Sequence, residues 1–242
     1  MKVTKIPYKL TNQFSNLVID YIDKDPKLKE FISRFPSLNN FEKQIKYKEN
    51  HNIDRGLLVD VLKSQNSNLV LSINTQNNIE HLLNQKTFTV TTGHQLCFFT
   101  GPIYFFYKII STINLVEKLR ETYPKNNFVP VFWMASEDHD FEEINHFNFF
   151  NKTITWQTKQ KGMVGNMKIS EISNFIEDLK STFGKSDNSQ KLISMIENAY
   201  KENTLSHATR FLINELFGSY GIVIIDGDDK SLKNKLIPII KK

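Results

Sequence analysis

The sequence predicts an α/β fold built on a parallel sheet, and three observations carry that expectation. Two apolar runs rich in β-branched and aromatic residues, TFTVTT at 87 to 92 and NFVPVFWMAS at 127 to 136, flank a long segment with helical spacing. A third apolar run, GIVIID at 221 to 226, follows another helical stretch. Each of the three ends in a polar cluster, TTGHQ, SEDHD and DGDD in turn. Open parallel sheets bind ligands beyond the carboxyl ends of their strands, so the three clusters are expected to converge on one cleft.

The elements follow in order. Residues 15 to 86 read as mostly helical, with LVIDYI, LKEFISRF, RGLLVDVLKSQ and NIEHLLNQ spacing apolar residues three and four apart. Ser15, Asp25-Pro26 and Asn52 to Asp54 punctuate them as caps or turns. This region shows no chemistry, and His51 and His81 read as surface residues. TFTVTT reads as a buried strand. Tyr104 to Glu121 reads as a helix whose Ile109, Ile110, Ile113, Leu115, Val116 and Leu119 form one broad buried face. NFVPVFWMAS is a second buried strand, so the unit is βαβ and is expected to be a right-handed parallel crossover. HFNFFNKTITWQT then alternates aromatic and polar residues, as antiparallel strands do, and KGMVGNMKIS is expected to complete a small sheet with them. SEISNFIEDLKSTF, SQKLISMIENAY and TLSHATRFLINELFGSY read as helices, the last stopped at Gly221, with GKSDNSQ at 184 to 190 as a loop. The remainder supplies the third strand, an acidic turn and the beginning of a helix, so the parallel core is interrupted between its second and third strands.

Composition narrows the classes. With 40% hydrophobic and 24% charged residues in 242, the chain is of ordinary globular type. The excess of 31 basic over 26 acidic residues comes from scattered lysines. No basic stripe is interleaved with aromatics, so nucleic acid is not an expected partner. The single cysteine, Cys97, excludes an intrachain disulfide and a multi-cysteine zinc site, and points to a reducing, cytoplasmic setting. MKVTKIPYKLTNQF lacks the apolar core of a signal peptide, and no stretch approaches the roughly 18 apolar residues of a membrane span; a soluble protein without a membrane partner is expected.

The polar clusters hold the candidate chemistry. In the first, Gly93 is expected to let the backbone turn sharply and approach a ligand, toward which His94 and Gln95 donate hydrogen bonds. The helix beginning near Gly101 or Pro102 presents its N-terminus to the same place, which suits phosphate or carboxylate. No dinucleotide fingerprint or P-loop is present, and a structural turn is the alternative reading. Cys97, between Leu96 and Phe98, reads as a buried small hydrophobe more readily than as a nucleophile. In the second cluster Glu137, Asp138, His139 and Asp140 are consecutive, so only some of them face one point. His139 with one or two carboxylates suits an acid/base pair or part of a metal site; the alternative is a polar turn whose acids cap the next helix. In the third, Asp226 is the best ligand contact, while Asp228 or Asp229 suits a helix cap. Lys108 either approaches an anion or snorkels at the surface.

TTGHQLCFFTGPIYFFYKIIS, then VPVFWMASEDHDFEEINH, then YGIVIIDGDDKSLK, resemble the bacillithiol biosynthesis cysteine-adding enzyme (BshC) family of bacterial cysteine ligases. The resemblance extends over the whole chain but covers only the N-terminal half of such proteins, with 1 to 86 matching more loosely. It implies a Rossmann-like core with a connective-peptide-like α+β insertion and a helical N-terminal region. The expected organisation is a helical region over 1–86, the first βαβ part of the core over 87–140, the insertion over 141–204 and a return to the core over 205–242. The remaining core strands and a coiled coil that mediates homodimerisation are expected to lie outside this chain, which puts its independent activity in question. The implied reaction joins cysteine to glucosaminyl malate through an amide bond. TGHQ stands where distantly similar nucleotidyltransferases and class I aminoacyl-tRNA synthetases carry a loop that binds ATP phosphates, although it departs from their two-histidine pattern. ATP is therefore the expected activator, with no metal implied.

In that reading His94, Asp138 and His139 are the catalytic candidates. Thr92, Gly93, Gln95, Thr100, Gly101, Glu137, Asp140 and Asp226 would bind substrate or nucleotide. His94 and Gln95 would stabilise a phosphate or carboxylate, and Asp138 and His139 would take the amine's proton or orient an ammonium group. The alternatives are a metal-dependent hydrolase or transferase built on Glu137, Asp138, His139 and Asp226, and a non-catalytic nucleotide- or sugar-binding module.

Overall fold

A computed structural model describes residues 4–149, 152–169, 176–177, 179–180 and 183–241, which divide into two compact units, 1–51 and 52–242. In the first, helix α1 spans Asn16–Asp23 and is capped by Ser15, whose hydroxyl accepts from the Val18 N–H. It stops where Lys24 turns left-handed at φ 58°. LKEFISRF is not a helix, contrary to its spacing: a 3-10 turn over Pro26–Leu28 gives way to irregular chain as far as Ser37. Pro36 disfavours helical backbone at Phe35, and although Leu28 is buried, Phe31 is left 83% exposed. Helix α2, Leu38–Glu49, forms instead in a stretch that spacing alone passes over, with Ile45 buried.

The second unit holds the sheet. Helices α3, Arg55–Gln65, and α4, Ile73–His81, start at Asp54 and Ser72, whose side chains accept from the N–H groups of Leu57 and Thr75. Strand β1, Thr87–His94, leads through a short 3-10 turn at Phe98–Thr100 into α5, Tyr104–Thr122, and then β2, Asn127–Met134. After β2 come the single-turn helix α6, Phe141–Ile144, and a hairpin of β3, His146–Phe149, with β4, Lys152–Thr155. Helices α7, Asp187–Ala199, and α8, Leu205–Phe217, lead to β5, Val223–Asp226, followed by α9, Lys230–Asn234, and α10, Ile237–Ile240.

Among the described residues the main sheet is parallel with order β1-β2-β5, and the fold is α/β and Rossmann-like as expected. Side chains alternate between two packed faces. On one, Phe132, Met134 and Ile224 meet Phe105, Ile109 and Ile113 of α5 and Leu212 and Ile213 of α8. On the other, Val129, Val131, Val223 and Ile225 meet Val59 and Leu62 of α3, Ile79 of α4 and Leu82 just after it. Helices on both faces explain why β2 and β5 read as continuous apolar runs.

Three expectations change. β1 is not fully buried: it pairs only with β2 among the described residues, and Thr89 and Thr91 are exposed. KGMVGNMKIS adds no strand to the β3-β4 hairpin and forms a 3-10 turn at Val164–Asn166. Its donors go elsewhere, Val164 N–H to the Asp138 carbonyl (2.7 Å) and Gly165 N–H to that of Ser136 (3.0 Å). GKSDNSQ is only partly a loop, because Ser186 caps α7 from Asp187 onward by accepting from the Ser189 N–H (3.2 Å). The helix expected over SEISNFIEDLKSTF lies largely outside the described residues. Gly221 does terminate the α8 segment, with φ 78° and no room for a side chain, since a Cβ would lie 2.5 Å from Asn78 Nδ2.

Candidate functional site

Parallel register sets His94, Met134 and Asp226 side by side as the last residues of β1, β2 and β5. The polar clusters that follow them therefore share the carboxyl edge of the sheet, where ligands bind in folds of this type.

The first cluster is built differently from its sequence expectation. Gly93 does not turn the chain: it lies inside β1 opposite Trp133, where a Cβ would come within 3.1 Å of the Trp133 carbonyl oxygen. The reversal falls at Phe99, Thr100 and Gly101, with successive φ angles of 49°, 75° and 67°. Left-handed backbone at two non-glycine residues costs about 1–3 kcal/mol each. The Tyr200 hydroxyl supports it by accepting from the Phe99 N–H (3.0 Å), and the rings of Phe147 and Tyr200 lie 4.9 and 4.8 Å from that of Phe99. Burial pushes the Tyr200 hydroxyl pKa up, so it stays protonated. The expected backbone donors of Thr100 and Gly101 are spent inside the turn, on the carbonyls of Cys97 and Phe98 (both 3.1 Å).

His94 is buried between Tyr104 and Phe105. Its Nδ1 donates to the Gln95 carbonyl (2.9 Å), which assigns the proton to Nδ1 and leaves Nε2 as the basic nitrogen. Burial lowers its pKa, opposed by the Gln95 bond and assisted by Lys108, so the ring is neutral near pH 7. Cys97 is buried, and its thiol is pushed up to about 11, chiefly by desolvation, in keeping with a core role. Lys108 is exposed and donates to the Gly93 carbonyl (3.1 Å). Thr92 lines a shallow groove between β1 and α5 with Tyr104, Tyr107 and Lys108.

Gln95 ties the first cluster to the second. Its amide nitrogen donates to Asp138 Oδ2 (2.8 Å) and Glu143 Oε2 (2.7 Å). Asp138 also accepts from the Asp140 N–H (3.0 Å), and that bond, followed by the one from Gln95, lowers its pKa. Asp140 takes the structural option, accepting from the Glu143 N–H (3.4 Å) as the cap of α6. His139 is exposed.

The second and third clusters are joined twice. Ser136 donates to Asp226 Oδ1, which also accepts from the Asp228 N–H (3.0 Å). Glu137 pairs with Lys233 (2.6 Å), which also reaches Asp228, and Asn166 donates to Asp228 (3.3 Å). These carboxylates raise the Lys233 pKa, Asp228 most. Asp229 caps α9, accepting from the N–H groups of Ser231 and Leu232.

Asp226 is also held from behind. The Gln65 side chain pairs with its backbone N–H and carbonyl (both 2.9 Å), as a neighbouring strand would. Arg210, buried on α8, donates to the Gln65 carbonyl and lies 3.7 Å from Asp226 Oδ2. Arg210 Nε has no hydrogen-bond partner among the described residues. Ser136, Lys233, Gln65 and Arg210 escaped sequence reasoning. Only Arg210, a charge among the apolar positions of TRFLINELF, carried a visible signal.

Asp138 and Gln95 are thus in contact, Asp226 joins them through the Ser136 loop, and Glu137 through Lys233. No three His, Cys, Asp or Glu side chains form a metal-binding set among the described residues. Nor is any helix among them long and apolar enough to cross a membrane.

Comparison with known proteins agrees with the geometry. The family model described as "Bacillithiol biosynthesis BshC, N-terminal Rossmann-like domain" matches residues 1–242. Relatives named "Putative cysteine ligase BshC" include that of Flavobacterium psychrophilum, 51% identical over 241 residues, which cover 98% of this chain and 45% of the relative. That of Flavobacterium johnsoniae is 48% identical over 242 residues, covering 98% and 45%. That of Staphylococcus aureus strain bovine RF122 is 33% identical over 219 residues, covering 84% and 39%. The chain therefore spans a little under half the length of its two Flavobacterium relatives. With a Rossmann-like parallel sheet, three polar strand ends on one rim and a family match along its whole length, the chain belongs to the BshC family, as its N-terminal Rossmann-like domain.

Proposed function

We propose that this chain is the Rossmann-like half of a ligase that joins the carboxyl group of cysteine to the amino group of glucosaminyl malate in bacillithiol biosynthesis. The observation that carries the reading is the bridge from Gln95, beyond β1, to Asp138 and Glu143, beyond β2, in a chain whose relatives are named cysteine ligases. The complete enzyme is expected to be cytoplasmic and homodimeric.

Both N–H groups of the Gln95 amide are engaged, so it can donate to a bound carboxylate only by leaving Asp138 or Glu143. The carboxylate released is then available to an incoming ammonium group, which couples the two substrates. Asp138, held below the usual carboxylate range, orients that ammonium group; His139, exposed beside it, takes the proton that the amine loses as the amide forms. His94, neutral with Nε2 basic, accepts a hydrogen bond or proton at that atom.

Amide formation from a free carboxylate needs an activated acyl group, and ATP would supply that activation. The fit is partial. Thr100 and Gly101 have no backbone N–H to spare, whereas Lys108 and the first turn of α5 offer positive charge to a phosphate. The half-length match favours one further reading, that this chain alone binds substrate without turnover.

Mass spectrometry separates these readings. The chain, and in parallel the full-length Flavobacterium psychrophilum relative, is incubated with cysteine and glucosaminyl malate, with and without ATP. ATP-dependent amide product from the relative supports the ligase scheme, and full-rate product without nucleotide sinks the activation step. Substrate binding by this chain in calorimetry without product identifies the binding half.

A further inference from the structure

Strand β2 is buried at every residue from Phe128 to Met134 except Trp133, which is 42% exposed at the carboxyl end of the sheet. Leaving so large an apolar side chain open to water, on an otherwise buried central strand, forgoes much of its burial energy. The backbone around it is pared back on two sides. Gly93, its partner on β1, would place a Cβ 3.4 Å from that of Trp133. Gly227, after β5, lies so close to Cζ2 and Cε2 of the indole that any side chain there would collide with the ring. Gly227 stands between Asp226 and Asp228, so the indole borders the network in which Lys233 links Asp228 to Glu137 and Asn166 donates to Asp228.

We infer that Trp133 is the platform on which the pyranose ring of an amino sugar stacks, with Asp228 and Glu137 accepting from its hydroxyl and ammonium groups. The inference rests on the ligase reading and adds the wall of the cleft that takes the sugar. A pyranose offers a face of C–H groups to the electron-rich face of an indole and a rim of hydroxyls to the acceptors around it. A nucleobase would also stack, but it brings no ammonium group to the carboxylates of Asp228 and Glu137, which the amino sugar does. Lys233 and Glu137 are both substantially exposed, 41% and 46% by side chain, so their pair is screened and opens easily for a competing ammonium group.

Fluorescence tests this directly, because Trp133 and Trp156 are the only tryptophans and Trp156 is 2% exposed. The 242-residue chain is titrated with glucosaminyl malate and separately with adenosine, with calorimetry alongside. A saturable change in emission with glucosaminyl malate is expected, together with binding about tenfold weaker in Trp133→Ala. Should that variant fail to fold, Trp133→Phe keeps an aromatic face and is expected to bind within about threefold, while the emission titration of the unsubstituted chain carries the test. Calorimetric binding of glucosaminyl malate with unchanged emission, and undiminished in Trp133→Ala, overturns the inference and leaves the ligase reading standing. An emission change with adenosine but not with the sugar overturns it in favour of a nucleobase platform. Absence of any binding of glucosaminyl malate overturns both.

Discussion

Gly101→Ala tests whether the left-handed turn after β1 is rigid. Gly101 has φ 67° and ψ −137°, a conformation nearly confined to glycine, where a Cβ costs about 1–3 kcal/mol. It is also packed: a Cβ would meet the Cys97 Cβ as its nearest atom, with Cys97 Sγ at 3.0 Å. Overpacking of that kind typically adds about 1–3 kcal/mol. The two effects together predict a loss of about 2–6 kcal/mol. Gly184 supplies the control, since its φ is 74° but nothing lies within 4 Å of its added Cβ. Gly184→Ala should therefore cost only the backbone part, about 1–2 kcal/mol. Urea unfolding followed by tryptophan emission is the assay, both tryptophans lying in the 52–242 unit. Because the nearest obstacle is a Cβ, Cys97→Ala should not rescue Gly101→Ala, whereas Cys97→Gly should recover part of the loss. Equal costs at Gly101 and Gly184 would refute a rigid turn packed on Cys97.

Other consequences follow from the same rim. Gln95→Glu places a third carboxylate against Asp138 and Glu143 and should destabilise by about 1–2 kcal/mol near neutral pH, less in mild acid, as read by urea midpoints across pH. Asp138 has a folded-state pKa below its unfolded value of 3.8, so its contribution is fully present above that value and lost as pH falls through the lowered one. Asp138→Asn should flatten the acid limb of the stability profile below about pH 4 and leave its slope near neutrality unchanged; an unaltered acid limb would show that the bonds from Asp140 and Gln95 do not favour the ionised form. The buried Cys97 thiol, pushed up to about 11, should resist iodoacetamide near pH 8 in the native chain and react once urea unfolds it, as mass spectrometry would register; rapid native labelling would contradict its burial.

The parallel core was legible because β2 and β5 are covered on both faces and so read as unbroken apolar runs, and because each strand ends in a polar cluster. β1 read the same way although its threonines are exposed, since β-branched composition signals a strand without revealing what covers it. LKEFISRF has helical spacing, but Pro36, which disfavours helical backbone at Phe35, prevailed. Within the site, the convergence of strand ends could be foreseen, and the partner of each side chain could not. Gln65 reaches Asp226 across 161 positions and Lys233 reaches Glu137 from a later helix, contacts that no local pattern encodes. Asp140 and Asp229 show the reverse, since as helix caps they carry the structural role that residues of their type at those positions also predicted.

The rim therefore has a fixed part and an adjustable part, distinguished by burial. Arg210 and Asp226 have side chains only 6% and 16% exposed, and removing one member of a buried pair costs about 3–5 kcal/mol because the other charge is stranded. Burial lowers the Arg210 pKa while the Asp226 carboxylate raises it, so the carboxylate offsets part of the cost of holding the guanidinium away from water. Gln65 fixes the same residue through its backbone, and Ser136 through its side chain. Asp226 is thus a reference point that binding cannot cheaply move. Lys233 and Glu137 are exposed and screened, and Gln95 exchanges one carboxylate partner for another without leaving a buried group unpaired. A ligand entering beyond the strand ends would displace these side chains first, so substitutions at Gln95, Glu137 or Lys233 should alter ligand affinity more than stability. Substitutions at Arg210 or Gln65 should do the opposite.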